Sequence, residues 1–229
     1  MTKSDPKKKQ KNNEQCSVNL NDWSIHTAAR ENRVDVITKL LVEQGVDINA
    51  RDEKGDTAAH IAAEANSSDT LHFLSENDAV LNVRNRFGWS PLHGACLNNS
   101  TDTLSFLFDK GLNIEDRDKY DCRPLHVAAM TNSVDSASFL IDHGAHIDAK
   151  DEDGETPLDY AIKNKNREIT GYLLSKSADS EDRDFSWIGH DAESVALPPM
   201  GFRSRTTDVG SSRNDLRKDS IKRSEEEEK

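Results

Sequence analysis

Short apolar stretches alternate with polar ones between residues 21 and 176, and the alternation returns every 33 residues. Pro91-Leu92-His93-Gly94-Ala95-Cys96 is answered by Pro124-Leu125-His126-Val127-Ala128-Ala129, and then by Pro157-Leu158-Asp159-Tyr160-Ala161-Ile162. One period earlier stands Ala58-Ala59-His60-Ile61-Ala62-Ala63. A degenerate copy, Ile25-His26-Thr27-Ala28-Ala29, opens the series one residue out of step. Later in each period the apolar positions fall at helical spacing, as in Val36, Ile37, Leu40 and Leu41, or Leu104, Phe106, Leu107 and Phe108. Each period therefore predicts two short helices. Pro91, Pro124 and Pro157 suit a first helical turn, where the missing N–H has no intrahelical partner to lose. Ser90 and Thr156 stand before them as N-caps. Small residues follow, Ala62 and Ala63, Ala95 and Cys96, Ala128 and Ala129, and let helices approach closely. A fixed period of this length marks a stacked solenoid, in which each unit buries its apolar side only against its neighbours.

The turns between helices carry their own pattern. Gly55, Gly88 and Gly154 stand where a tight loop needs positive φ, and Asp121 takes that place in one copy. Asn66-Ser67-Ser68-Asp69, Asn99-Ser100-Thr101-Asp102 and Asn132-Ser133-Val134-Asp135 recur in phase. Asn stops a helix in the left-handed region, and the Asp that follows opposes the dipole of the next helix. The tetrad reads as structural.

These units resemble ankyrin repeats. The hairpin and helix start show in Asp151-Glu152-Asp153-Gly154-Glu155-Thr156-Pro157-Leu158, and the unit end in Phe139-Leu140-Ile141-Asp142-His143-Gly144-Ala145. The resemblance covers about residues 21–176 and implies an all-α solenoid of stacked helix-turn-helix units with β-hairpin-like loops. Five units are expected, at 21–51, 52–84, 85–117, 118–150 and 151–178. A basic arm, 1–20, and a charged tail, 179–229, are expected to be disordered, being polar and poor in apolar residues.

Composition narrows the function. The net charge is −12 over 229 residues, and the mean hydropathy is −0.80. The repeat region is acidic, while Lys7-Lys8-Lys9-Gln10-Lys11 makes the arm basic. An acidic body argues against direct nucleic-acid binding, which rests on clustered Lys and Arg. No apolar run approaches the ~20 residues of a membrane helix, and the N-terminus lacks the apolar core of a signal peptide. The odd count of three cysteines, Cys16, Cys96 and Cys122, fits a reducing compartment. A cytoplasmic location follows, with nuclear entry an alternative if the basic arm is an import patch.

Catalytic and metal readings find little support. His60, His93 and His126 share one position in successive units, spaced about 10 Å by helix packing, too far apart for one zinc ion. By resemblance, this His ties hairpin to helix through hydrogen bonds. No phosphate loop, Cys-x-x-Cys pair or nucleophile elbow occurs. No enzyme activity, metal or cofactor is expected.

Resemblance places a partner on a concave face built from hairpin tips and the ends of first helices. Mapped onto this chain, its centre holds Phe87, Trp89, Leu97, Tyr120 and Met130, surrounded by Arg84, Arg86, Arg117 and Lys119, with acidic residues in the flanking units. Aromatic and Arg anchors dominate typical interfaces, and an acidic partner segment with an apolar anchor is the complement. The aromatic stretch around Phe185 and Trp187 could cap the last unit, dock externally or mask this face. Asn49 is a candidate for asparaginyl hydroxylation by family analogy; Ser220 and Ser224 are candidate phosphorylation sites. The expected function is that of a monomeric, non-enzymatic adaptor or regulatory subunit. The alternatives are a nuclear-shuttling regulator that sequesters a transcription factor, and an accessory subunit of a ubiquitin ligase, phosphatase or proteasome.

Overall fold

The structure, a computed structural model, describes residues 19–176 and Phe185. Ten α-helices follow one another in five pairs: α1 (Ile25–Arg30) and α2 (Val34–Gln44), α3 (Ala58–Ala65) and α4 (Ser68–Glu76), α5 (Pro91–Leu97) and α6 (Thr101–Asp109), α7 (Pro124–Met130) and α8 (Val134–Asp142), α9 (Pro157–Lys163) and α10 (Arg167–Ser175). A 3-10 turn, Leu20–Asp22, precedes them and is capped by the Asn19 side chain. No strand forms among the described residues; the loops between pairs are hairpin-like turns. The expected all-α solenoid of five helix pairs is what the described residues form.

Sequence explains each helix start. Pro91, Pro124 and Pro157 occupy the first turn of α5, α7 and α9, and Thr57, Ser90 and Thr156 cap α3, α5 and α9. The second helices end by other means. Gly45 closes α2 at φ +63, and Gly111 and Gly144, one residue beyond the C-caps of α6 and α8, also have positive φ.

Burial follows the stacking. First helices pack on first helices, α1 on α3, α3 on α5, α5 on α7 and α7 on α9. The small residues make that possible: Ala28, Ala29, Ala62, Ala63, Ala95, Cys96, Ala128, Ala129 and Ala161 are wholly enclosed. Each second helix supplies the larger side chains, Ile37 and Leu40, Leu71 and Leu74, Leu104 and Leu107, Leu140, and Ile169 with Leu173. A fully buried Leu contributes roughly 1.5–3 kcal/mol through area removed from water. One continuous core thus runs through all five units.

Both ends of the stack are covered. Leu20 and Trp23 pack on the core at the first unit, and the Arg33 guanidinium lies 5.5 Å over the Trp23 ring. At the far end Leu173 and Leu174 are 0% and 7% exposed, although no sixth helix pair follows among the described residues. Phe185 packs against the core as a half-buried side chain.

The Asn positions do more than end helices. Asn32, Asn66, Asn99 and Asn132 all have φ between 53 and 58°. Asn99 donates from Nδ2 to Asp135 Oδ2 at 2.8 Å and accepts from Ser136 N–H at 2.8 Å. Asn32 does the same with Asp69 and Thr70, and Asn132 with Glu168 and Ile169. Each of these Asn therefore clamps its own unit to the second helix of the next one.

Candidate protein-binding face

Histidine sets the position of the hairpins. Backbone N–H groups of Thr57, Ser90 and Arg123 donate to Nδ1 of His60, His93 and His126, at 3.2, 3.1 and 3.1 Å. With Nδ1 an acceptor, the ring proton sits on Nε2, which donates to the next hairpin: His60 to Trp89 O at 2.9 Å, His93 to Cys122 O at 3.3 Å, His126 to Glu155 O at 3.2 Å. Burial holds all three rings below the usual histidine pKa, His93 at about 4, so they are neutral near pH 7. Every imidazole nitrogen is thus engaged within the fold. His26 begins the series by reaching Asp56 O at 2.9 Å. Asp159 replaces His in the last unit and accepts from Thr156 N–H at 2.8 Å.

Each hairpin tip is held by its own Asp or Asn and by its neighbour. Asp52, Asn85, Asp118 and Asp151 accept from backbone N–H groups across their loops. Adjacent tips then share one backbone bond each: Arg86 N–H to Lys54 O at 2.9 Å, Lys119 N–H to Phe87 O at 3.0 Å, and Glu152 N–H to Tyr120 O at 3.0 Å. Close approach of the tips demands glycine at position 88, whereas Asp121 holds the same left-handed place in the fourth unit. A Cβ on Gly88, at φ +81, would lie 2.7 Å from Lys119 N.

This register sorts the side chains into rows. The second residue of successive tips is Glu53, Arg86, Lys119 and Glu152; all four are exposed. The third is Lys54, Phe87, Tyr120 and Asp153. At the ends of the first helices the row is Glu64, Leu97, Met130 and Lys163. Units three and four therefore carry the apolar members of both mixed rows and the cationic members of the first. Leu97 and Met130 are half-buried against the core, leaving part of each accessible.

The expected site residues divide by what already holds them. Trp89 is half-buried, its indole N–H donates to Asp118 Oδ2 at 3.1 Å, and its ring stacks on His93 with centroids 5.9 Å apart. Burial raises the pKa of Asp118. Arg84 donates to Arg117 O and pairs with the buried Asp116 at 2.9 Å, and Arg51 likewise bonds to Arg84 O at 2.8 Å. Arg117 reaches Asp121 at 3.3 Å. Arg86 and Lys119, in contrast, are exposed and carry no side-chain hydrogen bond or ion pair among the described residues. Phe87 and Tyr120 are half-buried beside them.

Sequence reading missed the coupling of Cys122, Tyr160 and Asp151. The Tyr160 hydroxyl donates to Asp151 Oδ2 at 2.7 Å and lies 3.2 Å from Cys122 Sγ. Burial pushes the Cys122 thiol up to about 12 and raises Tyr160 further, so neither ionises near neutrality. The cluster joins units four and five and offers no nucleophile. A polar cleft of about 470 Å³ between Arg30 and Arg51 lies at the other end of the stack, away from the apolar centre.

Asn49 is half-buried, and its Oδ1 accepts from Val80 N–H at 2.8 Å, a bond from the first loop to the second. Ser220, Ser224, Trp187 and the basic run Lys7–Lys11 lie outside the described residues. No group of His, Cys, Asp and Glu that could hold a metal ion occurs among the described residues, and none of the described helices is long and apolar enough to cross a membrane.

Comparison with known families agrees with this geometry. A family model described as ankyrin repeats (3 copies) matches residues 25–118 and again 115–184. No curated protein matches the chain.

Proposed function

The chain belongs to the ankyrin-repeat family, whose stacked units serve as protein–protein interaction modules, and from that premise we propose that it is a non-enzymatic adaptor or regulatory subunit that binds its partner on the tip face of units three and four. One observation carries the reading. Phe87, Tyr120, Leu97 and Met130 form a partly exposed apolar centre, and the two cations beside it, Arg86 and Lys119, have no ion pair or side-chain hydrogen bond among the described residues. Acidic residues flank that centre, Glu53 on one side and Glu152 and Asp153 on the other. Desolvated aromatic anchors with complementary charge around them give affinity and orientation together. The complement is an acidic partner segment with an apolar anchor.

Affinity capture with full-length protein tests this, comparing wild type with an Arg86→Glu/Lys119→Glu double variant. Both side chains are exposed, so the variant keeps its fold and melting behaviour. A direct partner should be recovered at least about fivefold less with the variant, since each rim pair is worth ~0.2–1 kcal/mol and reversal adds repulsion. Equal recovery of every captured protein by both forms would place the partner elsewhere on the surface.

A further inference from the structure

The tip face has a charge order as well as a charge. Along the second tip position it runs acid, base, base, acid: Glu53, Arg86, Lys119, Glu152. All four are exposed, and none has an ion pair or side-chain hydrogen bond among the described residues. The three backbone bonds between tips fix the register of the backbone positions that carry these charges, one per unit. Stacked helices repeat at ~8–10 Å, and that sets the spacing.

Only some chain conformations present side chains on one face at this interval. In a β-strand, same-face residues recur every ~6.6–6.8 Å, so the match fails after one step. A polyproline II segment has three residues per turn and rises 3.1 Å per residue, so every third side chain faces the same way at about 9.3 Å. Such segments also dock on aromatic side chains, and Phe87 and Tyr120 stand half-buried at the tips of units three and four. We propose that the tips of units two to five read a polyproline II segment of the partner by its charge register: base, acid, acid, base at every third residue. The two central acids lie against Arg86 and Lys119, and an apolar residue between them reaches Phe87 and Tyr120. The outer bases lie against Glu53 and Glu152. This inference rests on the partner-binding reading above and sharpens it from net charge to spacing.

Synthetic peptides provide the test, with full-length protein and fluorescence anisotropy at low salt. The probe is Lys-Pro-Pro-Glu-Pro-Val-Glu-Pro-Pro-Lys. Controls carry the same charges at every second residue, the same charges at every seventh residue on a helical backbone, and the reversed order Glu, Lys, Lys, Glu at every third. The probe should bind roughly three- to tenfold more tightly than any control, the range expected when two or more exposed pairs are lost. With Arg86→Glu/Lys119→Glu all four tip positions are acidic, and the preference for the probe over the reversed peptide should be lost. If all peptides with two central acids bind equally, whatever their spacing, the register is wrong while a cationic binding face survives. A preference for the seven-residue spacing would make the occupant a helix and overturn the proposal. Failure of every peptide to bind at millimolar concentration also overturns it, and the partner-capture comparison then stands or falls alone.

Discussion

At the scale of single residues, the buried histidines make stability depend on pH in a defined direction. His93 titrates at 6.5 when unfolded and at about 4 when folded, because burial disfavours its charged form. Between those values the unfolded chain binds a proton that the folded chain does not. Stability therefore falls as pH drops from 6.5 to 4, by about 3 kcal/mol from His93 alone. His60 and His126 act in the same direction. Asp118 acts oppositely, since burial raises its pKa and it accepts a proton more readily when folded. Denaturant melts from pH 7.5 to 4 should show a shallower decline for His93→Gln than for wild type. Identical slopes would mean that His93 is not the neutral, doubly bonded ring described above. The role of these histidines was legible from their common place in each unit. The use of the Trp89 indole was not, because its acceptor, Asp118, is 29 residues away and comes within reach only when two tips stack.

At the scale of elements, the Asn clamps and the first helices divide the work of holding units together. Asn99→Gly keeps the positive φ but loses two hydrogen bonds to the next unit, and should destabilise by roughly 1–2 kcal/mol. Asn99→Ala loses the bonds and strains the backbone as well, and should lose about 1 kcal/mol more. Chemical denaturation of both variants checks this; an unchanged stability in Asn99→Gly would mean that the side-chain bridge contributes nothing, and equal losses in both would mean that the left-handed backbone adds no strain. Leu125 in α7 is 1% exposed and belongs to the core. Leu125→Ala should therefore lose roughly 2–5 kcal/mol, and a loss below ~1 kcal/mol would contradict its burial. The Asn turn itself was visible in the sequence through the recurring tetrad, since a left-handed helix stop is a local property. The clamp was not, because it joins residues 36 to 38 positions apart.

At the scale of the whole molecule, a solenoid is only as stable as its ends, because terminal units lack one neighbour. Phe185 packs against the core, which supports the capping alternative for the segment that contains it. Phe185→Ala should lower stability by roughly 1–3 kcal/mol, less than a fully buried aromatic truncation. Tail removal after residue 178 should do at least as much. If thermal melts show no change in either, Phe185 is not a structural cap and the segment is free to dock elsewhere. The acidic body and the period of 33 residues already pointed to a stacked, partner-binding chain. Which cations remain available to a partner was a different matter. Arg84, Arg86, Arg117 and Lys119 look alike in sequence, yet Arg84 and Arg117 are bound within the fold while Arg86 and Lys119 face outward. Sequence alone determined the helices, their caps, their left-handed stops and the repeat, because those depend on residues within a turn or two of each other. Tertiary structure alone decided the Asn clamps, the hold of Asp118 on Trp89, the packing of Phe185 and the charge register of the tips, because each requires groups about one repeat or more apart in the chain to be brought together by stacking.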